Sequence, residues 1–585
     1  MKLKKLKGKP ASPGITSGKI VILDEDHLNI EDKNIHPENI DGEIEKLLRA
    51  IEITRKELIQ IRNNVNKTIG IEKGAIFDTH IMFLQDKILL NRIIDKIKNT
   101  RKSADFVFYN EMKRIQNILE NSKEEYIKDR ALDIKDVKRR VIRNIQGISP
   151  RKFLFSNENV ILVCYELTPS EAISLNKKNI LGFVTELGGQ TSHVAILARS
   201  LELPCVVGIP DLMKKIKPDD TLIIDGNRGE IIINPSSYVN EKYKKYKTDF
   251  EKHKIELEKI TNLPCVTLDN KKIELSANIE IPEEVQSAIS QGAYGIGLFR
   301  TEYIYLTKTD LPSEETQFKE YKTIVEKVAP NPVIIRTLDI GGDKFTRSLF
   351  HPKEENPFLG WRSIRICLDN PEIFKTQLRA ILRASSFGKV KIMFPMISSF
   401  EELKKAKWIL KQTATKLEKE KIPFDSNIEI GVMIEVPSAV IIAEHLAAEV
   451  DFFSIGTNDL VQYTLAADRG NYRVSHLYKF LQPAIIRMIK SIIETGHKKN
   501  IWVGMCGEMA GDPISTLLLL GLDIDELSVS PVALTKIKKI LLNSRFSEAK
   551  LIAEKCLKLK TARQIENYLK KEMLKRFPDL ITNYI

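Results

Sequence analysis

His193, shortly after a pair of glycines, is a candidate for a chemically reactive residue. An apolar run at 181–187 predicts a strand, and the glycines at 188–189 predict a turn. In the helical pattern that follows, Thr191 or Ser192 can cap the first turn, leaving His193 just inside the helix. Free backbone N–H groups there favour a phosphate group over an imidazolium. His193 could therefore attack phosphorus as neutral imidazole; the alternative is a histidine without chemistry.

A second set of polar residues follows short apolar runs in the later half of the chain. Glu435 and Asp459 offer the hard carboxylate oxygens that Mg²⁺ or Mn²⁺ prefers. Asn458 can donate to a phosphate oxygen, and Cys506 is either a thiol acid or a buried core cysteine. Planar forks that bind carboxylate or phosphate at two points come from Arg300, Arg336 and Arg469. The set describes a site for a small phosphorylated carboxylic acid held with a divalent ion.

The apolar runs that carry these residues alternate with amphipathic helical patterns. The runs cover residues 273–278, 295–300, 333–336, 390–395, 430–435, 452–458, 502–506 and 527–530. Eight strands with helices between them predict a (β/α)₈ TIM barrel. The carboxyl ends of barrel strands meet at one mouth, so the polar residues at those ends are expected to lie together.

The first half of the chain predicts an α/β domain interrupted by helices. Between residues 37 and 144 apolar residues recur at helical spacing and strand signals disappear, which predicts an inserted helical bundle. The bundle is a docking surface or merely a structural insertion. We therefore predict an α/β multidomain fold class, with an α/β domain that carries His193 at 1–36 and 145–237, the bundle at 37–144, a linker helix at 238–262 and the barrel at 263–585.

Composition argues against a secreted, a membrane-spanning or a nucleic-acid-binding protein. The 585 residues are 43% hydrophobic and 29% charged, and the six cysteines are scattered without metal-ligand spacing. We therefore expect a cytoplasmic protein with no secretory signal and no membrane insertion. The net charge of +13 comes from lysines spread along the whole chain, which favours a lysine-rich surface and no nucleic-acid partner. A basic nucleic-acid-binding protein is the alternative, but it leaves the set of arginines and carboxylates without a purpose.

Several longer motifs resemble the phosphoenolpyruvate-utilising enzymes, and among them the enzyme I family of the bacterial sugar phosphotransferase system. The resemblance covers essentially the whole chain, in order, at residues 185–193, 295–302, 336–344, 355–362, 377–383 and 453–460. Dikinases of the same superfamily carry an ATP-binding domain, and the nitrogen-related paralogue carries a sensor domain. We expect neither here, because few residues precede the helical insertion.

The resemblance implies a reaction and a role for each site residue. Phosphoenolpyruvate would phosphorylate His193, which would pass the phosphoryl group to the phosphocarrier protein HPr. Cys506 would be the proton donor, and Glu435 and Asp459 would hold Mg²⁺. Phosphoenolpyruvate would be bound by Arg300, Arg336, Asn458, Asp459 and Arg469.

The resemblance also implies partners. The helical insertion would dock HPr, and the barrel domain would form a homodimer. One position departs from the family pattern: Gln190 stands where the phosphohistidine motif often has arginine, which removes one phosphate partner.

Overall fold

The chain folds into two compact units, Met1–Lys252 and His253–Ile585. The structure, a computed structural model, describes residues 4–23, 30–68, 77, 80–120, 125–147, 159–167, 179–189, 192–201, 203–218, 220–306, 311–341, 354–469, 471 and 473–581. Gln190 and Thr191 lie outside these residues. Within the described parts, none of the helices is both long enough and apolar enough to cross a membrane.

An eight-stranded mixed sheet forms the frame of the first unit. Its strands are β1 (Lys4–Lys7), β2 (Lys9–Ser12), β3 (Ile15–Leu23), β4 (Val160–Cys164), β5 (Ile180–Thr185), β6 (Cys205–Val207), β7 (Thr221–Asp225) and β8 (Glu230–Ile233). They lie in the order β1-β8-β7-β3-β4-β5-β6-β2. Neighbours from β3 to β6 are parallel, and the outer pairs are antiparallel. The two edge strands are β1, in which three of four residues are lysine, and β2, which contains Lys9 and Pro10; charge and proline at a sheet edge discourage pairing with other chains.

The predicted helical bundle is present between β3 and β4. Its helices are Ile40–Thr68, Lys87–Thr100, Ala104–Glu120 and Glu125–Ile145, after a 3₁₀ turn at Pro37–Asn39. Asp86 caps the second helix by accepting from two backbone N–H groups of its first turn. The apolar faces meet in a core that includes Leu47, Leu58, Ile93 and Met112. The bundle has its own hydrophobic core, as an independent insertion requires.

The described residues of the first unit form three further helices, of which the last continues beyond Lys252: His193–Ser200, Leu212–Lys215 and Ser237–Glu258. The last of these is the predicted linker helix, and the boundary between the two units falls within it. The sequence predicts a solvated helix, but Tyr243 is only 8% exposed and packs against Ile223 and Ile232 of the sheet. The helix is therefore partly buried, because burying the apolar surface of an aromatic side chain against the sheet is more favourable in free energy than leaving it in water.

The second unit is the predicted (β/α)₈ barrel. Its eight strands are β9 (Glu274–Ile279), β10 (Ile296–Phe299), β11 (Val333–Arg336), β12 (Val390–Phe394), β13 (Glu429–Ile434), β14 (Phe452–Ile455), β15 (Trp502–Met505) and β16 (Glu526–Val529). Every neighbouring pair is parallel, and β16 pairs with β9 to close the barrel. All eight strand predictions and the fold class are confirmed.

Helices surround this barrel and share one continuous apolar core with it. They are Glu284–Ser290, Glu302–Leu306, Glu314–Val328, Ile364–Asp369, Pro371–Ser385, Phe400–Lys419, Pro437–Ile441, Ala443–Ala447, Thr457–Leu465, Pro483–Lys498, Pro513–Gly521, Pro531–Leu542, Phe546–Lys558, Ala562–Arg576 and Pro578–Ile581, with 3₁₀ turns at Pro357–Leu359, Ser475–Leu477 and Glu508–Gly511. The carboxyl ends of the strands therefore stand on a packed, rigid scaffold.

Candidate active site

One cavity of about 660 Å³ opens at the carboxyl ends of the barrel strands. It is lined by all seven barrel residues that the sequence singles out: Arg300, Arg336, Glu435, Asn458, Asp459, Arg469 and Cys506. They come from the ends of β10, β11, β13, β14 and β15 and from the segment after β14. Parallel strands closed into a barrel bring these ends together although they are far apart in sequence.

Arg336 is one of two buried arginines that line the cavity. It is the last residue of β11 and only 9% exposed, and its Nη2 lies 2.9 Å from Glu302 and its Nη1 2.8 Å from Asp339. Burial opposes its charge, but the carboxylates of Asp339 and Glu302 outweigh this and raise the pKa of Arg336. Its Nε has no hydrogen-bond partner among the described residues. A buried donor left in this way can bind an anion placed in the cavity.

Arg362 is a second buried arginine of the cavity, to which the sequence assigned no role. Its Nη2 lies 3.3 Å from Asp339 and 4.0 Å from Asp459, and its Nη1 donates to the hydroxyl of Tyr463 at 3.3 Å. Its Nε also lacks a partner in the described part of the chain. Although burial opposes ionisation of Asp339, Arg336 and Arg362 hold the pKa of that carboxyl below its usual range.

The two proposed metal ligands lie in one group of repelling carboxyl groups. Glu435 is 1% exposed and accepts a hydrogen bond from the backbone N–H of Met396 at 2.7 Å. Burial, with the charges of Asp459 and Asp339, raises its pKa well above the ordinary value. Burial and the charge of Asp339 also raise the pKa of Asp459. A cation between these oxygens would relieve both effects.

This donor set fits Mg²⁺ bound partly through substrate. The described residues contain no group of three or more His, Cys, Asp or Glu side chains arranged to hold a metal. Two carboxylates are what Mg²⁺ commonly takes from a protein when waters and substrate phosphate supply its other ligands. The two buried carboxylates Glu435 and Asp459 therefore suit a metal that is completed by an anionic substrate.

Hydrogen bonds join Asn458 to the segment after β15 and Arg469 to the helix Thr457–Leu465. The side chain of Asn458 donates to Glu508 at 3.3 Å and accepts from the backbone N–H of Glu508 at 3.0 Å. Tyr478 donates its hydroxyl to the backbone carbonyl of Asn458 at 3.1 Å. The backbone N–H of Arg469 donates to Gln462 at 3.3 Å. These bonds fix the backbone around both predicted ligands.

Arg300 is held by a carboxylate at the opposite rim, where its Nη1 lies 2.5 Å from Glu280. The described residues that line the cavity include four arginines and six carboxyl groups. The arginines can grip an anion, but the excess of carboxyl groups opposes its entry. A divalent cation held by Glu435 and Asp459 would reduce that opposition.

Cys506 follows β15 and is 3% exposed. Burial raises the pKa of its thiol to about 11, so it is a neutral acid at physiological pH. Two residues that sequence reasoning missed contact it. Ser454 lies 3.3 Å from its sulfur, and the amide of Asn278 donates to its backbone carbonyl at 2.9 Å. Asn278 ends a predicted strand, and this is the signal that could have identified it.

His193 begins the eight-residue helix His193–Ser200 in the first unit. Gly188 has φ of 116°, a backbone conformation that residues other than glycine rarely adopt, so the turn before the helix requires glycine there. Ser192, one of the two residues predicted to cap this helix, is at the N-cap position, but its hydroxyl makes no capping hydrogen bond to a described group. The first-turn N–H groups are therefore not used by this side chain.

Three sequence models of known domains match the chain. Residues 7–130 match "PEP-utilising enzyme, N-terminal", residues 156–229 match "PEP-utilising enzyme, mobile domain" and residues 254–546 match "PEP-utilising enzyme, PEP-binding domain". The last match spans the barrel strands and every predicted barrel site residue.

Curated relatives named phosphoenolpyruvate-protein phosphotransferase match over almost their whole length, as three of them show. The protein of Staphylococcus carnosus is 43% identical, that of Buchnera aphidicola subsp. Schizaphis graminum 45% and that of Haemophilus influenzae 43%. Each alignment covers 96% of this chain and 98% of the relative. The chain therefore belongs to the PEP-utilising enzymes, in the family of phosphoenolpyruvate-protein phosphotransferases.

Proposed function

We propose that the chain transfers a phosphoryl group from phosphoenolpyruvate to its own His193 and then to a histidine of HPr, releasing pyruvate. This is the first step of sugar uptake by the phosphotransferase system. The observation that carries the proposal is the convergence of seven predicted residues on one cavity of about 660 Å³. Family membership supports it independently, through relatives of the same name and nearly the same length.

Phosphoenolpyruvate is bound by the arginines and Asn458. Arg336 and Arg362 present buried Nε–H donors that lack partners among the described residues. Arg300 and Arg469 line the same cavity and supply further planar donors. Phosphoryl transfer is catalysed mainly by positioning and by stabilising charge, which a fixed set of guanidinium groups provides without reorganisation.

Glu435 and Asp459 are the residues that would hold Mg²⁺, with Asp459 also near the substrate. When bound, the ion neutralises charge on the phosphate and carboxylate oxygens of the substrate. The mutual repulsion of these carboxyl groups supports a cation site at this position.

Cys506 donates the proton that completes pyruvate. Its pKa of about 11 keeps the thiol protonated at neutral pH. As His193 takes the phosphoryl group, the enolate of pyruvate leaves, and the S–H proton moves to its C3 carbon. The ketone that forms is more stable than the enol, which favours the forward direction.

His193 is the nucleophile, and its place at a helix N-terminus suits the phosphoryl group that it accepts. We assign HPr docking to the helical bundle at 37–144 and homodimer formation to the barrel domain at 263–585. The phosphohistidine domain comprises 1–36 and 145–237, joined to the barrel by 238–262. The protein acts in the cytoplasm.

The two-step transfer is tested with the purified full chain and HPr. The chain is incubated with ³²P-labelled phosphoenolpyruvate and Mg²⁺, freed from substrate by gel filtration and mixed with HPr. We expect the label to move to HPr for the wild type and no transfer for His193→Ala. Transfer by His193→Ala, or label that stays on the wild-type chain in the presence of HPr, would refute the proposal.

A further inference from the structure

One buried hydroxyl in the barrel has no role in the function proposed so far. Ser454 is the single polar residue of β14, between Phe453 and Ile455, and it is 1% exposed. A buried hydroxyl is costly unless it is hydrogen-bonded. Its hydroxyl donates to the Sγ of Cys506, 3.3 Å away. The Ser454 hydroxyl is therefore hydrogen-bonded to the sulfur of the proposed acid in the interior of the barrel.

The strand register fixes this contact. In the parallel pair β14 and β15, Ser454 lies opposite Gly504 and Ile455 lies opposite Met505. Cys506 continues the pairing, because its backbone N–H donates to the carbonyl of Ile455 at 3.2 Å. Side chains at alternate positions of a strand share a face, so Cys506 follows Gly504 on the face that Ser454 meets.

The sulfur of Cys506 takes part in two hydrogen bonds of different length, one that it accepts from Ser454 and one that its own S–H donates. The hydroxyl of Ser454 approaches Sγ at 3.3 Å, whereas Sγ lies 3.9 Å from the carbonyl of Ile455, the acceptor for its own hydrogen. The serine thus contacts the sulfur closely, and the S–H proton is only weakly bound by the protein. That is the arrangement expected of a proton donor whose conjugate base is stabilised in advance.

Resting on the proposed function, we propose that Ser454 is a positioning residue that holds the Cys506 sulfur and stabilises the thiolate left after proton donation. In that step the S–H bond breaks and a C–H bond forms at C3 of the enolate. The carbon–carbon π electrons form the new C–H bond, and an oxygen lone pair forms the carbonyl. The S–H electron pair stays on sulfur, and water returns a proton after pyruvate leaves.

The charges around the sulfur agree with this role. Burial is the largest influence on the thiol and opposes the thiolate, while the hydrogen bond from Ser454 is the largest influence that favours it. Arg336 and Arg300 also favour the thiolate, and Glu435 opposes it. A hydrogen bond to an ionised group in a buried site is stronger than one to a neutral group.

The test uses the full chain with phosphoenolpyruvate, Mg²⁺ and rapid quenching of a single turnover. Label on His193 reports phosphoryl transfer, and lactate dehydrogenase with NADH reports keto-pyruvate. The variants are Ser454→Ala and Ser454→Cys, which remove the hydroxyl, and Ser454→Thr, which keeps it. Ser276→Ala is the matched control, because Ser276 is also a buried barrel serine at 1% exposure.

For Ser454→Ala we expect pyruvate to appear about 10- to 100-fold more slowly, as for loss of a hydrogen bond to a charged group. Labelling of His193 should stay near the wild-type rate, because the nucleophile is unchanged. Ser454→Cys should behave like Ser454→Ala, Ser454→Thr should recover most of the pyruvate rate, and Ser276→Ala should match the wild type.

Two results would overturn the inference. Ser454→Ala could resemble Ser276→Ala in both readouts, or it could slow labelling and pyruvate formation equally, which indicates a change in the shape of the site. Wild-type protein that takes no label at His193 would instead overturn the proposed function. The two failures are therefore distinguishable in one data set.

Discussion

Arg336 and Asp339 form a buried ion pair at the end of β11, with Nη1 2.8 Å from Oδ2. The other oxygen of Asp339 lies 3.3 Å from Nη2 of Arg362. One carboxylate therefore orients two arginines of the cavity. Arg336 keeps a second partner in Glu302, so its guanidinium is fixed in two directions.

Loss of that shared carboxylate should destabilise the barrel strongly. For Asp339→Ala we expect about 3–5 kcal/mol less stability in the unfolding transition of the barrel unit, because two buried guanidinium groups lose a partner. Lys404→Ala is the control. Lys404 forms an ion pair of 3.1 Å with Glu449 at the surface, and its loss should lower the free energy of unfolding by less than about 1 kcal/mol. Equal losses in urea unfolding of the two variants would contradict this view of the cavity.

Glu435 should be required for stabilisation by metal and substrate together. A ligand at about 100 times its Kd stabilises the folded state by about 2.7 kcal/mol, so the thermal midpoint of the wild type should rise when Mg²⁺ and phosphoenolpyruvate are added. Glu435→Gln should lose this rise, whereas Glu429→Gln, at the start of the strand that ends just before Glu435, should keep it. A rise in Glu435→Gln equal to that of the wild type would remove Glu435 from the metal site.

Glu526 makes a prediction about pH. It is 4% exposed inside the barrel, and burial raises its pKa from 4.5 to about 7, against a hydrogen bond from Ser276 and the charge of Lys391, while Glu274 adds to the rise. Between these values the folded state keeps a proton that the unfolded state releases, so stability falls as pH rises and is level above about 7. At 1.36 kcal/mol per unit, the fall is roughly 3 kcal/mol.

Glu526→Gln removes that titration, so its stability should vary less with pH than the wild type between pH 4.5 and 7. The measurement is urea unfolding of both proteins across this range. The Glu526 carboxyl group is tightly enclosed, because a Cβ added to Gly297 or Gly504 would come within 2.6 Å of its oxygens. Gln has nearly the same shape and therefore fits the same space. The same slope in both proteins would show that Glu526 does not hold the proton.

The barrel was predictable because parallel strands covered on both faces read as short apolar runs. The edge strands β1 and β2 were not predicted, since each has only four residues, three of them lysine in β1 and none of them large and apolar in β2. Six of the seven barrel site residues were singled out because polar side chains at or beside strand ends break the apolar pattern, whereas Arg469 lies beyond the helix Thr457–Leu465 and follows no predicted strand directly. The assigned roles of those residues stay predictions.

Other features arise only from register. Ser454 and Cys506 are 52 residues apart, and Asn278 and Cys506 are 228 apart, so no local pattern brings them together. Arg362 lies inside a motif of the family, but its position over Asp339 depends on how the segment after β11 folds back. A barrel prediction makes β14 and β15 neighbours, but the apolar runs do not specify the register that places Ser454 beside Cys506.

The most direct test of the central claim is the site and stoichiometry of labelling by phosphoenolpyruvate. Full-length wild type and His193→Ala are incubated with ³²P-labelled phosphoenolpyruvate and Mg²⁺, and the acid-labile, base-stable label is mapped to a peptide while pyruvate is counted. We predict one pyruvate per label, label on His193 in the wild type and none in His193→Ala. Label retained in His193→Ala, or label on another residue of the wild type, would contradict the account.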